Sequence, residues 1–135
     1  MWNYILISVI SGFAFGTMDA IINANPLAQR LMTVYQPIAR QSVNMTAGII
    51  IDLLYGFVLA GLFLLLRDSL PGNTGLVKGL SFGLILWFLR VVMYAVTQWM
   101  TINLPANTIW YIILSGLLEM LILGALYGLA LKPWS

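Results

Sequence analysis

The sequence contains no cysteine and no histidine. Disulfides, thiolate zinc sites, His-ligated metal or haem and Ser–His catalysis are therefore outside its chemistry. Charge is almost as scarce. Six Lys or Arg and four Asp or Glu amount to 7% of 135 residues, where a soluble domain carries about 25%. The six cations are scattered and form no basic run, so the net charge of +2 marks no nucleic-acid surface. No metal site, cofactor or catalytic residue is expected. With no nucleophile–base pair in view, neither is an enzyme.

What the sequence does have is apolar surface. Hydrophobic residues make up 61% of the chain, and so few charges could not keep that surface in water. A soluble enzyme and a disordered chain are both excluded. The expected solvent is a lipid bilayer. Its core, about 30 Å thick, takes roughly 20 apolar residues as a helix, and four runs are long enough: about 2–22, 45–66, 76–99 and 109–131. They are too long and too continuous for the alternation of a membrane barrel. The first run lacks a basic flank and a clear cleavage site, so it reads as a retained helix. The expected fold is an all-α integral membrane protein, a single domain built as a four-transmembrane-helix bundle.

The connections differ in kind. Pro71-Gly72 suits a type II turn between the second and third runs. Pro105 stops the third, and Asn107 or Thr108 can cap the fourth. The first link is longer. Asn25-Pro26 reads as N-cap and first residue of another helix. Leu27, Leu31, Val34, Tyr35 and Ile38 then recur at helical spacing, which predicts an interfacial amphipathic helix over about 26–39.

Four spans place both termini on one side, here side A, with Arg67, Lys78 and Lys132; side B holds Arg30 and Arg40. The positive-inside bias then puts side A in the cytoplasm of a bacterial or archaeal plasma (inner) membrane, by a margin of one residue. Trp2 and Trp134 on side A, and Trp99 and Trp110 on side B, are the expected interfacial anchors. A shift of 67 residues aligns Gly12 with Gly79, Gly16 with Gly83 and Asp52 with Glu119, the pattern of two tandem two-helix repeats.

Four ionisable residues fall inside the runs: Asp19, Asp52, Arg90 and Glu119. A charge at mid-bilayer costs about 2.5–3.5 kcal/mol on insertion scales, so these four must face the bundle interior or a wet cavity. Each lies on a stripe of small or polar residues, where membrane helices approach closely. Helix 1 carries Ser8, Gly12, Gly16, Asp19 and Asn23; helix 2 carries Gly48, Asp52, Gly56 and Ala60. Helix 3 carries Gly79, Gly83, Arg90, Tyr94 and Gln98, and Ser115 stands one turn before Glu119 on helix 4. At about 1.5 Å per residue, Arg90 and Glu119 lie near the midplane and the two Asp nearer side B. Glu119 is the expected partner of Arg90, with Asp52 also in reach. With all four ionised the cluster would hold a net charge of −2, which calls for a proton, water or a bound cation.

Two functions follow. In the first, the Arg/acid network fixes helix register in an architectural or accessory subunit, a homo-oligomer or part of a larger membrane complex. In the second, a small transporter or channel subunit uses the acids to bind a proton, a cation or a cationic substrate.

Overall fold

The computed structural model describes residues 2–31, 33, 35 and 45–131. The described residues are helical, with no strand among them. Helix α1 (Trp2–Ala24) is followed by the short α2 (Pro26–Leu31) and by α3 (Met45–Leu66). A 3-10 turn (Arg67–Ser69) leads to α4 (Gly75–Leu86). This helix passes through a π-helical segment (Trp87–Val92) into α5 (Met93–Thr101), and α6 (Ala106–Ala130) completes the set. Four stretches are long and apolar enough to cross a membrane: Trp2–Ala24, Met45–Ser69, Gly75–Thr101 and Ala106–Ala130. Their outward faces expose large apolar side chains, among them Leu65 (75% exposed) and Leu129 (72%). Trp2, Trp99 and Trp110 are exposed as well.

The helices associate as two antiparallel pairs, α1 with α3 and α4 with α6; α1 also touches α6. Small residues permit both pairings. A Cβ built at Gly12 would stand 2.9 Å from the Asp52 carbonyl oxygen. One at Gly83 would stand 2.5 Å from that of Met120. Gly79 faces Gly124 and Gly75 faces Gly128 backbone to backbone. Close approach over small residues is the way helices associate where lipid would supply no hydrophobic drive. Gly48 is different from the other glycines of the stripes. Among the described residues nothing lies within 4 Å of a Cβ there, so the packing contact expected of Gly48 is not seen. Four helical glycines outside the expected set, Gly75, Gly116, Gly124 and Gly128, also pack so closely that a Cβ would fall under 3.0 Å from a neighbour.

An aromatic cluster joins the pairs. Phe63 of α3 meets Phe82 of α4 at 5.4 Å between centroids, and both lie against Tyr127 of α6 at about 6 Å, 6.1 and 6.2 Å respectively. All three are fully buried. Side A is closed by polar side chains on backbone carbonyls. Asn3 Nδ2 donates to Ala130 O (3.1 Å) and Arg67 Nη1 to Leu131 O (3.1 Å). Lys78 Nζ donates to Arg67 O (2.9 Å) and Leu70 O (3.1 Å). These bonds serve carbonyls that a helix end leaves without an intrahelical donor. Gly72 takes the positive φ, 117°, that the Pro71-Gly72 turn needs.

The link after α1 begins as the sequence implies. Asn25 Oδ1 accepts from Ala28 N (2.9 Å), an N-cap over Pro26. The regular helix then ends at Leu31. Residues 32, 34 and 36–39 of the expected interfacial segment lie outside the described residues, as do Arg40, Lys132 and Trp134.

Candidate functional site: a cavity around Glu119 and Arg90

At the side B end the bundle is stitched by side chains that seek free carbonyls. Asn25 Nδ2 donates to Ile21 O (2.8 Å), Ile22 O (2.9 Å) and the Tyr111 hydroxyl (3.0 Å). Tyr111 in turn donates to Ile22 O, and Thr108 Oγ1 to Leu31 O. The start of α6 is thereby tied to the end of α1 and to α2. Beneath this tie lies a cavity of about 680 Å³. Asn23, Gln29 and Tyr35 line its upper part; Tyr94, Tyr111 and Ser115 line its walls; Arg90 and Glu119 lie deeper. The volume falls within the usual range for small-ligand sites, about 300–1,000 Å³.

Glu119 sits near the middle of the 25-residue α6. It is 4% exposed, and its Oε1 is buried with no hydrogen-bond partner. Such an oxygen costs free energy on the order of 1–3 kcal/mol, more for a charged group. Asp19 comes within side-chain hydrogen-bonding reach of Glu119, and Arg90 and Asp52 are near enough to act on it electrostatically. Asp52 packs across α1, where a Cβ at Gly16 would fall 2.5 Å from its Oδ2. Gly16 is thus the space into which the Asp52 carboxyl fits. Asp19 and Asp52 also interact electrostatically. All four ionisable residues singled out in the sequence therefore come together, although Asp19 and Asp52 do not line the cavity. Among the described residues, no three acids are arranged to hold a metal ion.

Arg90 departs from expectation. Its guanidinium carbon lies 4.8 Å from the Phe15 ring centroid and 5.1 Å from that of Tyr55. The two rings are stacked at 5.0 Å with an 18° interplanar angle. Among the described residues no carboxylate closes an ion pair with Arg90 within 4.0 Å. The expected Arg90–Glu119 pair is replaced by aromatic faces, whose quadrupoles contribute about 2 kcal/mol or more once the cation is desolvated. The π segment is the local cause. Its wider turn is closed by Met93 N donating to Phe88 O, five residues back. The 3.6-residue stripe running from Gly79 and Gly83 therefore does not continue to Arg90. Trp87 fixes the segment on α6 through Nε1 to Ile113 O (2.9 Å), and Val91 fills the space over Gly116.

The supporting residues divide. Asn23 Nδ2 donates back to Asp19 O (2.9 Å) and Ser115 Oγ to Tyr111 O (2.6 Å); both residues, with Tyr94, face the cavity. Gln98 does not. The sequence marks Tyr35 only as part of the amphipathic stripe, and it does not mark Tyr55 and Tyr111 at all, because an aromatic in an apolar run carries no sign of what it faces. Burial raises the Tyr35 phenol above its ordinary 10.0, and neighbouring Tyr94 adds to the shift.

A profile described as "Family of unknown function (DUF6789)" matches residues 4–133. The chain belongs to this family. The match takes in the four long apolar stretches of the DUF6789 chain, apart from the first two residues of the first, and every residue lining its cavity. No curated protein and no solved structure matches it.

Proposed function

We propose that this DUF6789 chain is an integral membrane protein that holds a small cation, or a proton in its place, at Glu119 within the side B cavity, as a transporter or channel subunit does. The carrying observation is Glu119, which borders a cavity large enough for a ligand and whose Oε1 is buried and unpartnered. A network that only fixed helix register would have its polar atoms satisfied by one another. Here the one deep cation lies against aromatic rings, and among the described residues it closes no ion pair with the acid. The surplus of acids, Asp19, Asp52 and Glu119 against Arg90, supplies negative potential for a cation that enters from side B. The outward apolar faces support insertion in a bilayer, with both termini cytoplasmic by the charge bias. Tandem duplication is supported by register. Gly12 faces Gly56 and Gly79 faces Gly124, one residue from what the 67-residue shift requires.

The architectural reading is second, and one experiment separates the two. Purified protein in liposomes is melted with and without tetramethylammonium, alongside Glu119→Gln and Asp52→Asn. A ligand at a hundredfold excess over its Kd stabilises by about 2.7 kcal/mol. The wild type is expected to gain stability of that order, Glu119→Gln to gain none, and Asp52→Asn to gain less. Equal melting of all three with and without the cation, and unaltered cation flux, would leave the acids as passive structure.

A further inference from the structure

The cavity holds a second unsatisfied group besides Glu119. The Arg90 guanidinium lies beside the Phe15 and Tyr55 rings, and among the described residues its N–H donors meet no acceptor within hydrogen-bonding distance. Ring contacts do not use up the N–H donors of a guanidinium, and those donors form a fork matched to the two oxygens of a carboxylate or phosphate. Arg90 and Glu119 both border the same 680 Å³ space, with Tyr94 and Tyr111 on its walls. We infer that the cavity takes a zwitterion, with its anionic group on the edge of Arg90 and its ammonium between Glu119 and the tyrosines. Aromatic walls with an acid are a known way to hold a quaternary or protonated amine. The pairing is reciprocal: the ligand's anion satisfies Arg90 and its cation satisfies the buried Oε1, so ligand and site neutralise each other in a medium that penalises unpaired charge. This rests on the cation-site reading above and adds to it the anionic anchor. The same chemistry occurs in a free betaine or amino acid and in a zwitterionic lipid headgroup at side B.

Glycine betaine and its two halves, tetramethylammonium and acetate, test this by calorimetric titration of the full chain in phosphatidylglycerol nanodiscs. Betaine is expected to bind at least tenfold more tightly than tetramethylammonium, with acetate weaker than either. Arg90→Gln is expected to bring betaine down to the affinity of the cation alone. Arg90→Lys keeps the charge without the fork and should fall between, which guards against a Gln variant that does not fold. Adding phosphatidylcholine to the nanodiscs separates the sources: competition with betaine identifies a lipid headgroup as occupant, and undiminished betaine binding identifies a free solute. If betaine binds no better than tetramethylammonium and Arg90→Lys changes nothing, the anionic anchor is wrong while the cation site stands. If neither ligand binds, both readings fall.

Discussion

A single methyl group at Gly79 tests the packing that holds α4 against α6. The new Cβ would meet the Gly124 carbonyl oxygen and stand 2.9 Å from the Gly128 Cα. Both are backbone atoms, which no rotamer change can move aside. The helices must separate or shift along each other, and overpacking of this kind costs typically 1–3 kcal/mol. Alanine recovers about 0.5–1 kcal/mol of helix propensity relative to glycine, so Gly79→Ala should destabilise by about 1–2 kcal/mol. Gly48→Ala is the matched control, since its Cβ meets nothing within 4 Å. It should keep the propensity gain and stabilise by about 0.5–1 kcal/mol. The pair is best read by dodecyl-sulfate unfolding in mixed micelles, followed by circular dichroism. The two variants should move the midpoint in opposite directions. Equal shifts, or a Gly79→Ala protein as stable as the wild type, would refute the close α4–α6 contact.

Three other substitutions probe separate parts of the fold. Phe15→Leu removes one ring beneath Arg90 and its stack with Tyr55; a loss of about 2 kcal/mol is expected in the same unfolding assay, and a neutral result would mean the guanidinium is held elsewhere. Asn25→Ala deletes the α2 cap and the link to Tyr111 and should cost about 1 kcal/mol; it should also speed hydrogen exchange at Ala28 and Gln29, whereas unchanged exchange there would count against the cap. Arg67→Ala leaves the Leu131 carbonyl without its charged donor and should lower stability by about 1.5–3 kcal/mol, with greater protease access near the end of α6 as the local sign and no change in access as the contrary one.

The long apolar runs were legible because a bilayer demands length and continuity, and both are visible in a single sequence. Observed ends fall within three residues of the expected ones: α1 runs to Ala24 and α6 starts at Ala106. Asn25-Pro26 was legible because a cap is a local device. The gathering of Asp19, Asp52, Arg90 and Glu119 followed from helical spacing and the cost of burying charge in lipid. The partner of Arg90 was not legible. It depends on a π turn at Trp87–Val92 that no residue type announces, and on Phe15 and Tyr55, which look like any other apolar-face aromatics until the helices are placed together. Gly124 and Gly128 could have been found, because their four-residue spacing repeats that of Gly75, Gly79 and Gly83. Gly48 shows the converse: spacing puts a residue on a stripe, but only the placement of its neighbours decides whether anything meets it.

Photolabelling with a diazirine-bearing quaternary ammonium, followed by peptide mapping, asks most directly whether a cation sits at Glu119. A cation held in the cavity places the adducts on Tyr94, Tyr111 and Ser115, reduces them with excess tetramethylammonium, and loses them in Glu119→Gln. Adducts spread over outward residues such as Leu65 and Leu129, at the same level in Glu119→Gln, would contradict the cavity as the site.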